Sequence, residues 1–457
     1  MSRKRLRNDW HEYMNRAAPS VSFYTLGCRL NQAETAILSE SFRERNYIIK
    51  DFGEQTDVCV INTCSVTGQS EARCRNTIRS LLRRHPATFV IVAGCYAQVG
   101  LEVLRAIQGI DMIVGTEHKF KISELLETLA LSANKEHVFP KQQTALIFHS
   151  GQISHNDFTI NTVGNFTKHT RANIKIQDGC NFFCSYCIVP HSRGPSRSRK
   201  LDDIRREALE LARRGHRELV ITGVNIGMYA SDGTDFLDVL KLLEDIDGIE
   251  RIRITSIEPM TIPEGIIDYM SRSQKLCRFF HIPVQSGDDR ILKRMNRRYS
   301  RRIFSDFVLS LNDAVADVHI GTDIIVGFPG EGPQEFEHSR RLLEELPLNY
   351  AHVFSFSARK GTPAADFPAA VSPSEIKQRS QILRKLSHQK RQSFYSRYIG
   401  KSVRVLFEQR EKNGLFTGYT ENYIKVGVKT DKNLSNSFHD VRVTHVSEKN
   451  LAEGLLL

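Results

Sequence analysis

The 457-residue chain contains no apolar run approaching the roughly 20 residues that a membrane-spanning helix needs. Its charged first residues, MSRKRLRNDW, are not followed by an apolar stretch, so no secretory signal is expected. Internal repeats and low-complexity tracts are also missing. These absences predict a soluble, cytoplasmic protein that works without a membrane partner.

Acidic residues are in short supply. The chain has 52 aspartates and glutamates against 64 lysines and arginines, which gives a net charge of +12 and a pI near 9.2. Such an excess suits a polyanionic partner such as nucleic acid. Charge alone leaves open the alternative of a soluble protein that is merely basic.

A complete disulfide framework is not expected either. The nine cysteines are an odd number, in a chain with no export signal. Metal binding or catalysis by thiolates is the favoured use of these residues.

Hydrophobic patterning predicts an α/β protein of several parts. Near the N-terminus, short apolar runs such as VSFYTLG, VCVINT and FVIVAG alternate with helical patterns, which indicates a parallel sheet covered by helices. Six later strand patterns, from ANIKIQ to AHVFSFS, suit an open or partial (β/α) barrel. A basic helical pattern from Ser374 to about Tyr398 then precedes period-two alternation, which predicts a small all-β barrel.

The predicted parts are a basic tail at residues 1–20, an N-terminal parallel α/β domain at 21–130, a linker at 131–168, a central domain at 169–396 and a C-terminal barrel at 397–457.

Three cysteines lie close together in GCNFFCSYC, directly after a predicted strand. The C-x3-C-x2-C spacing puts Cys180, Cys184 and Cys187 on one short loop, and thiolates are the usual ligands of iron–sulfur clusters. Three ligands can bind three irons of a 4Fe–4S cube, which leaves one iron open for S-adenosylmethionine and for reductive release of a 5′-deoxyadenosyl radical. Zinc is the alternative, although it usually takes four protein ligands, commonly in C-x2-C pairs.

Cys28, Cys64 and Cys95 are far apart in sequence but share a setting. Each ends an apolar strand pattern, in YTLGC, VINTC and IVAGC. Because the carboxyl ends of parallel strands share the edge of a sheet where ligands usually bind, these thiolates are predicted to converge on a second cluster. A thiol redox site is the alternative. The other cysteines are predicted to be buried as small hydrophobes: Cys59, Cys74 and Cys277.

These blocks resemble the radical S-adenosylmethionine methylthiotransferases over nearly the whole chain. TLGCRLNQAE, NTCSVT and AGCYAQ are similar to the N-terminal domain of that family, which holds an auxiliary 4Fe–4S cluster, and KIQDGCNFFCSYCIVPHSRG is similar to its radical core. The following blocks are also similar: RIRITSIEP, HIPVQSGDDRILKRMNRRYS, GTDIIVGFPGE and FSFSARKGTPAA. The final segment resembles a TRAM domain, an RNA-binding β-barrel. The resemblance implies two 4Fe–4S clusters and S-adenosylmethionine as cofactors.

Within the family, IQDGCNFFCSYC and GVNIGMY look most like the group that modifies N6-threonylcarbamoyladenosine in tRNA. The implied product carries a methylthio group at C2 of that nucleoside at position 37, in the anticodon loop. The implied catalytic set is Cys180, Cys184 and Cys187 for the radical, formed from one S-adenosylmethionine, and Cys64 for the cluster whose sulfur a second one methylates. Other groups of the family modify N6-isopentenyladenosine in tRNA or an aspartate of a ribosomal protein, and both are alternatives.

Polar residues and glycines at strand ends are predicted contacts for S-adenosylmethionine, because functional groups on a (β/α) scaffold gather there. Capping or turn roles are the alternative. The candidates are Gly223, Asn225, Glu258, Gln285 and Gly327. Tyr186, beside the third cysteine of the loop, is predicted either to lie next to the adenine or to pack in the core.

Arg193, Arg197 and Arg199 follow the cysteine loop and are candidates for phosphate contacts near the anticodon loop, with a solvated charge run as the alternative. The resemblance also implies an electron donor such as flavodoxin or ferredoxin, and a sulfur donor that the sequence does not identify. A rival of another class is a non-catalytic iron–sulfur sensor, which would bind RNA without cleaving S-adenosylmethionine.

Overall fold

The fold is that of a computed structural model, which describes residues 18–132, 139–164, 166, 170–411 and 413–457. Most of the predicted tail lies outside the described residues, and Ser20, its last residue, already begins the first strand. The chain divides into two compact units, with the boundary in the sequence between Ile153 and Ser154. No helix among the described residues has the length and apolar character that crossing a membrane requires.

The first unit is a parallel α/β sheet. Its strands are β1 (Ser20–Thr25), β2 (Ile48–Lys50), β3 (Val58–Thr63), β4 (Phe89–Gly94), β5 (Met112–Val114) and β6 (Leu146–Phe148). Its helices are α1 (Arg29–Arg43), α2 (Gly68–Arg84), α3 (Cys95–Val99), α4 (Leu101–Arg105) and α5 (Ile122–Ser132), the last preceded by the 3-10 helix Thr116–Lys121. The strand order is β2-β1-β3-β4-β5-β6, and every pairing is parallel.

β3 and β4 are buried along their whole length, because apolar clusters fill both faces of the sheet. Cys59 and Cys74 lie in one of these clusters and are buried, as predicted. The linker prediction is wrong at residues 146–148, which form the edge strand β6 beside β5. Three residues are too few to show a periodicity in the sequence.

The second unit begins with the central domain. Its strands are β7 (Arg171–Lys175), β8 (Gln177–Asp178), β9 (Arg197–Ser198), β10 (Glu218–Thr222), β11 (Ala230–Ser231), β12 (Thr234–Asp235), β13 (Arg251–Ile254), β14 (Phe279–His281), β15 (His319–Val326) and β16 (Tyr350–Ser355). Its helices are α6 (Val189–Arg193), α7 (Leu201–Arg213), α8 (Phe236–Glu244), α9 (Ile266–Arg272), α10 (Asp289–Arg294), α11 (Arg301–Ala314), α12 (Pro333–Glu345) and α13 (Pro373–Ser396). Three 3-10 helices span Ile226–Met228, Pro259–Thr261 and Pro363–Asp366.

Six of these strands form two parallel sheets, β13-β10-β7 and β14-β15-β16. A parallel bridge between Ile252 and Leu276 links β13 to the segment that leads into β14. The six predicted strands are therefore confirmed, and they follow one another in space as an open (β/α) arrangement requires. The predicted basic helix is α13, and Cys277 is buried as predicted.

The C-terminal segment is a closed barrel. Its strands are β17 (Ser402–Arg410), β18 (Leu415–Tyr419), β19 (Lys425–Lys429), β20 (Ser437–Val446) and β21 (Ala452–Leu456). They close in the order β17-β18-β19-β21-β20 around a core that includes Val405, Phe407 and Val441. The predicted all-β barrel is confirmed.

This barrel rests on the amino-terminal ends of the central strands. Arg253 at β13 donates to the carbonyl oxygens of Thr420 (3.1 Å) and Glu421 (2.9 Å), and its guanidinium lies 4.6 Å from the ring centre of Tyr423. His319 at the start of β15 contacts the carbonyl oxygen of Asn422 at 2.8 Å. The barrel thus covers the strand ends opposite the loops in which the cysteine motif and the predicted contacts lie.

Candidate cluster-binding and active site

The cysteine loop at residues 180–187 follows β8 at the carboxyl end of the first central sheet. The hydroxyl of Ser185 donates to the carbonyl oxygen of Arg294 at 2.8 Å. Gly179 has a φ of +73°, and a Cβ there would lie 1.8 Å from the carbonyl oxygen of Pro195. The loop is therefore held from two sides, and only glycine fits at its start.

The three thiols of this loop suit a cationic cluster. Burial, reinforced by the negative charge of Cys184, raises the pKa of Cys187 to about 12 and that of Cys180 to about 11. Neighbouring buried thiolates are unfavourable unless a cation lies between them, and an iron–sulfur cluster supplies one. No three cysteine, histidine or carboxylate side chains of the described chain are grouped to hold a single metal ion. A 4Fe–4S cube does not need such a group, because each thiolate binds a different iron.

A buried arginine that the sequence analysis missed lies beside this loop. Arg297 Nη1 is 3.5 Å from Cys184 Sγ, Nη2 donates to the carbonyl oxygen of Pro283 at 3.0 Å, and the guanidinium forms an ion pair with Glu258. Burial by itself would lower the pKa of Arg297, but the charge of Glu258 keeps it well above its usual value. A permanent cation therefore faces the Cys184 sulfur. The block NRRYS contained this residue, but adjacent arginines give no sign of which one is buried.

Gln177 is a second residue that the sequence analysis missed. Its Nε2 donates to the carbonyl oxygen of Gly179 at 2.8 Å, and its Oε1 accepts from the N–H groups of Val224 (3.0 Å) and Asn225 (2.9 Å). A Cβ on Gly223 would lie 3.1 Å from that Oε1. Gln177 therefore joins the cysteine loop to the loop after β10, and Gly223 makes room for the contact.

Among the predicted contacts, Asn225 has the side chain best suited to bind a ligand. The residue is buried, and its Oδ1 accepts from the hydroxyl of Thr261 at 2.8 Å. Its Nδ2 has no hydrogen-bond partner in the described part of the chain. A buried unpaired donor costs free energy unless a ligand pairs with it, so Asn225 fits an anionic ligand group such as a carboxylate.

The structure gives the other predicted contacts different settings. Glu258 faces Arg297. Gln285 is buried and has a φ of +68°, a strained backbone conformation for a residue other than glycine. Such conformations cluster at functional sites. Gly327 is explained by packing, since a Cβ there would lie 2.3 Å from Ile376 of α13. Tyr186 packs on the core cluster that contains Phe328.

Neither alternative for the three arginines after the loop agrees with the structure. Arg193 is buried and pairs with Asp178 at 2.9 Å. Arg199 is also buried, and it pairs with Asp203 at 2.7 Å. Arg197 lies 3.7 Å from Asp178. These side chains are partnered inside the domain, so they are neither phosphate contacts nor a solvated charge run.

In the first unit, Cys28, Cys64 and Cys95 follow the adjacent strands β1, β3 and β4 at their carboxyl ends. A Cβ on Gly27 would lie 3.2 Å from Cys64 Sγ, and one on Gly94 would lie 2.8 Å from the carbonyl oxygen of Thr63. The backbone segments that carry Cys28 and Cys95 therefore lie in close contact with the segment that carries Cys64, one on each side.

One side chain ties this edge together. Asn31 Nδ2 donates to the carbonyl oxygens of Leu26 (2.7 Å) and Thr63 (3.0 Å), and Cys28 Sγ lies 4.0 Å from its Oδ1. Cys28 is exposed, whereas Cys64 and Cys95 are buried. Three thiols on one edge, one of them open to solvent, form a donor set that fits an iron–sulfur cluster accessible from outside.

Three stretches of the chain match protein families: residues 174–343 match the radical SAM superfamily, 20–115 the uncharacterized protein family UPF0004, and 396–457 the TRAM domain. The threonylcarbamoyladenosine tRNA methylthiotransferase MtaB of Bacillus subtilis is 35% identical over 93% of this chain and 93% of its own length. Its namesake from Thermotoga maritima is 33% identical over 94% and 95%. A tRNA-2-methylthio-N(6)-dimethylallyladenosine synthase of Acetivibrio thermocellus is 32% identical over 95% and 90%.

Solved structures share the fold at low identity. The radical S-adenosylmethionine methyltransferase TsrM from Kitasatospora setae aligns with a TM-score of 0.54 at 13% identity, covering 76% of this chain and 77% of that one. At such identity the likeness concerns the fold alone.

Proposed function

The chain belongs to the radical S-adenosylmethionine methylthiotransferases, and we propose that it adds a methylthio group to C2 of N6-threonylcarbamoyladenosine at position 37 of tRNA. The observation that carries the reaction type is the second cysteine triad at the edge of the first sheet. A methylthio transfer needs a sulfur carrier in addition to a radical source, and the chain offers one set of thiols for each. The MtaB relatives, which match nearly the whole chain, support the nucleoside.

Family membership implies S-adenosylmethionine and iron–sulfur chemistry, and we assign two 4Fe–4S clusters to the chain. Cys180, Cys184 and Cys187 would hold one, and Cys28, Cys64 and Cys95 the other. When bound, these groups supply a 5′-deoxyadenosyl radical from one S-adenosylmethionine and a sulfur methylated by another. The target is an aromatic C–H without an acidic proton, where general base catalysis gains little.

The protein's own contribution is positioning. Asn225 Nδ2 would pair with the carboxylate of S-adenosylmethionine, and Gln177 would keep that loop fixed to the cysteine loop. Arg297 places a cation at the Cys184 sulfur, and Glu258 holds Arg297 in place. Hydrogen bonds and charge near a cluster sulfur set how easily the cluster is reduced.

The RNA partner would be the anticodon loop, whose unpaired bases can be splayed out and read. The C-terminal barrel and the basic helix α13 would contact the rest of the tRNA. An electron donor such as flavodoxin or ferredoxin and a separate sulfur donor would complete the system, which would work in the cytoplasm with its tRNA.

The test is anaerobic incubation of the reconstituted protein with S-adenosylmethionine, reductant and tRNA that carries threonylcarbamoyladenosine, followed by mass spectrometry of the nucleosides. The expected result is a mass gain of one methylthio group on that nucleoside. A gain only on isopentenyladenosine tRNA, or only on ribosomal protein, would move the chain to another group of the family. No 5′-deoxyadenosine at all would favour the non-catalytic sensor.

A further inference from the structure

The second central sheet, β14-β15-β16, has one polar face. Cα partners in parallel strands share a face, so His281, Gly321 and Tyr350 lie side by side, and Asp323 lies beside His352. β16 is an edge strand of this sheet, and along that edge the N–H of Ala351 donates to the hydroxyl of Ser387 on α13 at 2.8 Å. We call the polar side the inner face, because Ile325, two residues beyond Asp323 on β15, belongs to the apolar cluster on which Tyr186 of the cysteine loop packs.

Three groups of the inner face hold one another in place. His281 uses both ring nitrogens, with Nδ1 at 2.9 Å from the hydroxyl of Tyr350 and Nε2 at 2.9 Å from Asp323 Oδ1. The tyrosine ring occupies the space above Gly321, where a Cβ would lie 2.0 Å from it. His281 is therefore committed to orienting Asp323, which is itself partly exposed.

His352 is different, because it is an exposed residue. Its ring centre lies 5.4 Å from that of His281 and 5.1 Å from that of Tyr350. It borders a cavity of about 370 Å³ that Arg384 and Arg391 of α13 also line, and none of the described residues around that cavity is a carboxylate. An imidazole and two guanidiniums beside an oriented carboxylate form a surface for a ligand that carries both an anionic group and hydrogen-bond donors.

Besides Asn225 Nδ2, a second unpaired polar atom lies on the first central sheet. Asn173 of β7 is buried, and its Oδ1 has no hydrogen-bond partner among the described residues. Asn173 and Arg253 both pair with Val220 across the sheet, so the amide shares a face with the guanidinium. Arg253 in turn lies 5.9 Å from the ring centre of Phe279 on β14. The unpaired Asn173 Oδ1 therefore lies on the side of the sheets that carries the polar groups.

We propose that His352 contacts the threonylcarbamoyl group of the substrate nucleoside and selects it over an apolar N6 substituent. The inference rests on the proposed function and names the group that reads its substrate. A threonylcarbamoyl group carries a carboxylate, a hydroxyl and urea N–H groups, whereas an isopentenyl group carries none of them. A site of polar side chains rejects the apolar analogue, because its own groups would lose water without gaining partners.

The test compares anticodon stem–loop RNAs that carry threonylcarbamoyladenosine or isopentenyladenosine, each with the reconstituted holoenzyme. The variant is His352→Phe, which keeps an aromatic ring and removes both nitrogens. We expect kcat/KM on the threonylcarbamoyl RNA to fall about 10- to 100-fold, as the loss of one or two hydrogen bonds implies. Turnover of the isopentenyl RNA should stay unchanged or rise, and His352→Gln should recover part of the loss.

His155→Phe is the matched control, since that histidine is exposed on a loop of the same unit. Formation of 5′-deoxyadenosine without RNA should be the same in all variants. An equal loss on both RNAs, or no loss on either, would overturn the contact. A wild-type protein that is inactive on the threonylcarbamoyl RNA would instead overturn the proposed function, and the contact with it.

Discussion

The two cysteine triads reach their arrangement by opposite routes. Cys180, Cys184 and Cys187 lie on one loop, which surrounding carbonyl groups and Gly179 hold in shape. Cys28, Cys64 and Cys95 lie on three separate segments, and only the parallel order of β1, β3 and β4 brings those segments to one edge. The first triad is a property of local sequence, and the second is a property of topology.

The two triads also differ in the groups that surround them. A buried cation, Arg297, faces the loop triad at Cys184. At the sheet edge, the contacts are a carboxamide, Asn31, and close backbone approaches at Gly27 and Gly94. The loop triad therefore depends on charged side chains, whereas the edge triad depends on backbone fit.

The largest expected effect is that of Cys184→Ala. Removing one thiolate of the loop triad should abolish cleavage of S-adenosylmethionine, because the cluster that reduces it loses a ligand. Anaerobic iron analysis should still find the cluster of the sheet edge. Loss of both clusters together would break the separation of the two sites.

Cys64→Ala is the counterpart on the sheet edge. Cleavage of S-adenosylmethionine should persist, while methylthiolated nucleoside should disappear, because the sulfur carrier is lost. Counting 5′-deoxyadenosine and product in the same reaction measures both. Full product from this variant would contradict the role of the edge triad as the sulfur carrier.

Arg297→Met tests the dependence of the loop triad on charge. Leaving Glu258 without its buried partner should destabilise the protein by up to about 3–5 kcal/mol. Loss of the cation at Cys184 should also make the reduction potential of the loop cluster more negative. Redox titration followed by electron paramagnetic resonance measures the potential. The exposed neighbour Arg298 provides the control variant Arg298→Met. An unchanged reduction potential in Arg297→Met would show that the cation at Cys184 does not set the potential of the loop cluster.

Gly27→Ala tests the dependence of the edge triad on backbone fit, and it has the smallest expected effect. Gly27 has a φ of +119°, and a Cβ there would lie 2.9 Å from Cys64 Cβ. We expect a loss of about 1–3 kcal/mol in stability and a lower iron content at this edge. Gly53 has a similar φ of +104° with nothing within 4 Å, so Gly53→Ala reproduces the strain without the crowding. Equal iron loss in both variants would show that crowding at Cys64 is unimportant.

The sequence predicted much of the fold for a physical reason. Parallel strands buried on both faces leave unbroken apolar runs, and VCVINT and FVIVAG became β3 and β4. The central strands also alternate apolar and polar residues, as in RIRI and HIGTDIIV, and this second pattern marks the inner face. The edge strand β6 was missed because three residues carry no periodicity.

The arginines illustrate the limit of sequence analysis at the site. Arg193 and Arg199 are buried against Asp178 and Asp203, and Arg297 is buried against Glu258. Their sequence contexts are as basic as that of an exposed surface, so nothing in the residue order distinguishes a partnered guanidinium from a solvated one.

The sequence alone determined the chemistry of this protein: which residues can ligate iron, which segments form strands, and which family the chain resembles. The tertiary structure decided the pairings, because the partner of a charge or a thiol is set by distances between segments far apart in the chain. Arg297 beside Cys184, Asn31 across to Thr63, and His352 exposed beside an oriented Asp323 are pairings of that kind. Burial makes each of them costly to leave unmade, and burial exists only once the chain has folded.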